Sequence, residues 1–122
     1  MSYDYRVSEF EDLINKKILN VEYGDDQITF IVDNPEGIKR VKFKAYGDCC
    51  SSSYIESLDD PEVFSKAILT EVQVEEGDNT EVREYEYHSW TFYKFTTTKG
   101  RCTLSFRNES NGYYSGHLER VE

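Results

Sequence analysis

The chain has 122 residues, enough to bury one core and too few for two, so a single domain over 1–122 is expected. Hydrophobic residues make up 38% and aromatics 15%, with ten tyrosines and seven phenylalanines against two prolines, a balance that supports an autonomous fold rich in β structure. The 24 acidic residues against 14 basic ones leave a formal charge of −10, a field that repels phosphate backbones and argues against direct DNA or RNA binding, while favouring solubility or a basic protein partner. In the N-terminal stretch MSYDYRVSEFEDLINKK no apolar run of signal-peptide type occurs, and nowhere does the chain hold the ~18 consecutive apolar residues of a membrane span, so a cytoplasmic protein is expected. Ser8, with Glu11 three residues on, has capping-box spacing, and Phe10, Leu13 and Ile14 fall on one helical face, which predicts one short N-terminal helix. KKILNVEY, QITFIV and IKRVKFKAY then follow, separated by the turns GDD and DNPEG, in the punctuation of a β-meander. In the third of these, Val41, Phe43 and Ala45 alternate with Lys42, Lys44 and Tyr46, so one face is buried and the other polar.

The segment GDCCSSSYIESLDDPEVF breaks the alternation and reads as a loop ending in a short helix at Asp-Asp-Pro-Glu. Beyond it AILTEVQVEE is a strand, EGDNTE an acidic loop, and VREYEYHSWTFYKFTTT a long alternating run; RCTLSFRN returns as a hairpin, and NGYYSGHLERV supplies a last strand. The fold class expected is therefore α+β and mostly β: an antiparallel sheet of about six or seven strands, one short N-terminal helix and a short helix after the Cys-Cys loop.

Only His88 and His117 offer an imidazole for acid–base chemistry, and neither lies in a catalytic motif. Cys49, Cys50 and Cys102 are an odd number without CxxC spacing, which speaks against a disulfide scaffold and a structural zinc; the local signatures of cysteine hydrolases are also missing. The acid pairs Asp25-Asp26, Asp59-Asp60 and Glu75-Glu76 read as solvated turns rather than a calcium loop. Neither GxxxxGK[ST] nor GxGxxG is present, so no catalytic residue, metal or cofactor is expected. A polar aromatic cluster in the last third of the chain remains. Trp90, Tyr93, Lys94, Arg101, Arg107, Asn111, Tyr113 and Tyr114 are the candidate ligand-binding residues, because aromatic planes stack on bases while guanidinium and ammonium groups pair with phosphates. Along WTFYKF, Trp90, Phe92 and Lys94 share one face and Thr91, Tyr93 and Phe95 the other; one of the two must be core.

DCCSSSYIESL, SWTFYKFTTTKGRCTLSF and ESNGYYSG, in this order, resemble a family of small uncharacterised proteins common in bacteriophage and prophage genomes, over roughly residues 17 to 119. Ser51 stands where that family usually has an acidic residue. The resemblance implies an accessory phage protein acting in the cytoplasm of a host bacterium, and such proteins often counter host immunity. Two mechanisms fit the residues, and the first is favoured. One is a sponge that sequesters a cyclic nucleotide or ADP-ribose immune signal through the aromatic and basic cluster; sponges usually bind at subunit interfaces, so a homo-oligomer is expected with it. The other is an acidic inhibitor of anti-CRISPR type, which covers the nucleic-acid channel of a basic host defence protein with stretches such as EVQVEEGDNTEVREYE and ESLDDPE. An enzyme degrading such a signal would instead depend on His88 or His117; the reading adopted is binding without catalysis.

Overall fold

The computed structural model describes residues 5–47, 51–83, 86–110 and 116–121. A single α-helical turn, α1 (Tyr5–Ser8), precedes a 3-10 turn at Glu11–Leu13 and eight strands: β1 (Lys17–Tyr23), β2 (Gln27–Asn34), β3 (Gly37–Gly47), β4 (Ser51–Leu58), β5 (Ala67–Arg83), β6 (Glu86–Thr97), β7 (Gly100–Ser110) and β8 (Gly116–Val121). They form one sheet in the order β4-β7-β6-β5-β1-β2-β3-β8, and each neighbouring pair is antiparallel. Two hairpin systems, β1-β2-β3 and β5-β6-β7, meet at a seam where β1 pairs with β5 only through Lys17–Ile68 and Ile18–Ala67. The chain crosses between the halves twice, to place β4 beside β7 and β8 beside β3.

Mostly β architecture and a short N-terminal helix agree with the sequence; three details differ. There are eight strands rather than six or seven, because Ser51–Leu58, expected as loop, pairs with β7. Its alternation is disguised by a bulge between Ile55 and Ser57, which puts the buried residues Ile55 and Leu58 three apart instead of two. After Asp60, Pro61–Phe64 makes a single 3-10 turn, not a second α-helix. The N-terminal helix ends at Ser8 instead of starting there: Phe10 caps the 3-10 turn without a side-chain hydrogen bond, and Asn15 at φ 69° ends the segment. Phe10 and Leu13 nevertheless go inward, as their spacing predicts.

The sheet rolls until its two edges meet. β4 packs against β3 and β8, and a Cβ built on Gly116 of β8 would lie 2.9 Å from Ser53 Cβ on β4. The β1–β2 turn clasps this junction through its own carbonyls: Asp26 accepts the Ala45 N–H of β3 at 2.7 Å, and Asp25 accepts the Ile55 N–H of β4 at 2.6 Å. A turn expected to be merely solvated thus satisfies backbone donors of both strands. Inside the roll the aromatic rings interlock. Phe10 stacks on Phe43 (centroids 4.2 Å apart, planes 17° apart) and meets Phe30, Tyr93 and Phe95 edge-on or tilted, an arrangement favoured by ring quadrupoles. Among the described residues no helix is long and apolar enough to cross a membrane.

Candidate functional site

Strand β6 settles which of its faces is core. Thr91, Tyr93, Phe95 and Thr97 are buried, whereas Trp90, Phe92 and Lys94 are half-buried on the outer face. Tyr93, expected as a ligand contact, is fully enclosed, and its hydroxyl accepts the Leu118 N–H of β8 at 2.9 Å, so its position is that of a core and closure residue.

Pairing of β6 with β7 sets Trp90 opposite Arg107 and His88 opposite Glu109, and the pairing of β7 with β4 brings Tyr54 alongside Arg107. Trp90 and Arg107 are thereby assembled, as the sequence anticipated, but inside a ring of carboxylates. The Arg107 guanidinium carbon sits 5.0 Å from the Trp90 ring centre. Glu56 joins the two: one oxygen accepts the indole Nε1–H at 3.0 Å and the other accepts Arg107 Nη1–H at 3.1 Å. Arg107 Nη2 donates to His88 Nδ1. Because a guanidinium has only donors, His88 Nδ1 acts as acceptor and its proton rests on Nε2, which donates to Glu86 at 3.3 Å. Arg107 Nε is buried without a hydrogen bond and lies 3.5 Å from Glu109. That same carboxylate oxygen accepts the Tyr54 hydroxyl at 3.0 Å. Burial first, and then the bond to Glu109 and its charge, push the Tyr54 phenol above its ordinary pKa.

Gly77 on β5 leaves room for Trp90 and Phe92 of β6. A Cβ at that position would come within 2.9 Å of Phe92 Cε2 and 3.2 Å of Trp90 Cβ, and Gly77 itself lies in a bulge of β5, between Glu76 and Asn79. EGDNTE, expected as a loop, is therefore continuous strand with bulges.

The other predicted site residues are not gathered at this cluster. Lys94 is on the same face but is engaged by Glu75. Arg101, opposite Thr96 and exposed, lies six residues along β7 from Arg107, or about 20 Å at strand rise. Asn111, Tyr113 and Tyr114 lie outside the described residues, as do Cys49 and Cys50. Cys102 is a buried free thiol pushed up to about 12, chiefly by burial, and so is protonated at neutral pH and a poor nucleophile. His117 is half-buried beside Tyr46, ring centres 5.9 Å apart. Among the described residues no group of three or more His, Cys, Asp or Glu side chains is placed to hold a metal ion.

Sequence reasoning passed over Tyr54, Glu56, Glu86 and Glu109. A signal for Glu109 was there: counting back from the Thr-Thr-Lys-Gly turn sets His88 against Glu109 as surely as Trp90 against Arg107. Glu56 is hidden in the sequence because it sits in the bulge that disguises β4 as a loop.

Fold and site together define a rolled antiparallel sheet that carries an aromatic–arginine pair framed by carboxylates on its outer face. The model of the family described as Domain of unknown function (DUF7448) matches residues 11–119, and the chain belongs to that family. No curated protein and no solved structure matches it.

Proposed function

We propose that this chain is a non-catalytic, phage-encoded binding protein that counters host defence by covering a basic, nucleic-acid-binding surface of a host effector, in the manner of an anti-CRISPR inhibitor. The observation that carries the reading is the state of the cations around Trp90. Arg107 is held by Glu56 and neighboured by Glu109, and Lys94 is held by Glu75, so the groups a nucleotide phosphate would need there are already neutralised from within. What the neighbourhood offers instead is acid. The exposed carboxylates are Glu71, Glu75 and Glu76 on β5 and Glu56 on β4, of which Glu56, Glu75 and Glu76 also hold Arg107, Lys94 and Arg6. Half-buried tryptophan and arginine are the side chains most often found to anchor protein interfaces, and here they are locked in place before any partner arrives. Sequestration of a cyclic nucleotide or ADP-ribose signal has less support at this cluster, since Arg101 is distant from it.

The test is competition. Purified protein is titrated into complexes of nucleic acid with a panel of bacterial defence effectors, alongside a thermal-shift screen with cyclic di- and trinucleotides and cyclic ADP-ribose isomers. Displacement of nucleic acid that weakens with salt, and that Trp90→Ala or a Glu71/Glu75/Glu76→Gln variant abolishes, supports the inhibitor. Stabilisation by a cyclic nucleotide that Trp90→Ala removes, with the intact compound recovered after denaturation, replaces it with the sponge.

A further inference from the structure

On the other half of the sheet, the outer face of β1, β2 and β3 carries a hollow of about 340 Å³ lined by Glu22, Tyr23, Gln27, Thr29, Arg40 and Lys42, together with Gly24. Register explains the hollow. Glu22, Thr29 and Lys42 form one cross-strand row, so a short side chain, only 7% exposed, lies between two long ones. Gln27 and Arg40, each two residues along its strand from this row, stand on the same face above and below it. On a chain of net charge −10, β3 carries Lys39, Arg40, Lys42 and Lys44 and no acid. Arg40 is paired with Glu22, whereas Lys42, half-buried, joins no ion pair among the described residues. Tyr23, 49% exposed, supplies an open aromatic face at the rim.

We infer that this hollow binds a phosphate monoester of nucleoside monophosphate size. Its volume is at the lower end of small-ligand sites. The phosphate is met by the Lys42 ammonium, the Gln27 amide and the Thr29 hydroxyl at the floor, and the ligand's ring lies against Tyr23. Glu22 acts as a resident competitor: its carboxylate occupies Arg40, and an entering phosphate draws that guanidinium away. This site shares no residue with the Trp90 face, so it stands or falls separately from the inhibitor reading.

The experiment is an amide NMR titration with adenosine monophosphate, with adenosine as the phosphate-free control. Binding is expected to shift the amides of Gln27, Thr29 and Lys42, and adenosine to bind at least about tenfold more weakly, since a charge-assisted bond is lost with its phosphate. Lys42→Met is expected to weaken the nucleotide by about tenfold to a hundredfold. Glu22→Gln, which frees Arg40, is expected to tighten it by a few fold. Shifts confined to other strands, no shifts at all, or equal affinity in the parent and in folded Glu22→Gln and Lys42→Met would each overturn the assignment.

Discussion

Removing one oxygen atom from the middle of the core tests both the closure of the roll and the reassignment of Tyr93. In Tyr93→Phe the ring keeps its packing against Phe10 and Phe106, but the Leu118 N–H loses an acceptor 2.9 Å away. Leu118 is fully buried and opposite Ala45 in the β3–β8 ladder, with its N–H turned to Tyr93 rather than to β3. A buried donor left without a partner costs about 1–3 kcal/mol. For a chain of this size that corresponds to a Tm lower by about 4–12 °C. Urea titration gives the free energy, and hydrogen exchange at the Leu118 amide, which should accelerate in step, locates it. Ligand or partner binding should be unaffected. A loss below about 0.5 kcal/mol, with Leu118 exchange unchanged, would refute the claim that this bond ties β8 to the core.

Arg107→Met removes the cation from between Glu56 and Glu109 and should cost about 1–3 kcal/mol in urea melts. Trp90 is the sole tryptophan, so the same variant, and Glu56→Gln, should change its emission directly. Above neutral pH two acids with raised folded-state values act together: Cys102, moved from 9.0 to about 12, and Tyr54, raised from 10.0. Each keeps its proton in the folded state after the unfolded chain has released it, so its contribution is complete below the unfolded value and is lost as pH climbs past it, from 9.0 toward about 12 for Cys102 and above 10.0 for Tyr54. Cys102→Ala should flatten that alkaline decline in a series of thermal melts, and a thiol reagent should modify Cys102 only as fast as the native protein opens. Gly77→Ala should destabilise by about 1–3 kcal/mol, read by the same melts, since its methyl meets the Phe92 ring at 2.9 Å and Trp90 Cβ at 3.2 Å, with the Trp90 carbonyl oxygen at 3.4 Å.

The parts of the fold legible in the sequence are those where one residue in two is apolar without interruption. Ile28, Phe30 and Val32 against Val41 and Phe43 announce β2 and β3, and all five are buried. Legibility fails at bulges. Ile55 and Leu58 are strand residues at a spacing that suggests none, and Gly77-Asp78-Asn79 has the composition of a turn while running through the middle of β5. At the N-terminus the apolar spacing located the buried side chains but not the backbone form, because i and i+3 coincide in a 3-10 turn as they do in an α-helix. The site follows the same pattern. Trp90 and Arg107 are joined by a hairpin register that can be counted, whereas the glutamate linking them arrives from a strand whose pairing depends on the whole roll.

The crossing of the chain between the two halves has a consequence for biosynthesis. β3 receives its outer neighbour, β8, only after β4 to β7 have all been made. During translation the first meander is therefore an open-edged ribbon, its last strand lined with lysines and arginine that discourage pairing with other nascent chains. Its far flank joins β5 through two residue pairs, so little holds it until the aromatic hairpin arrives to fill the interior. Consolidation then awaits contacts distant in sequence, which places this small domain among slow folders for its length.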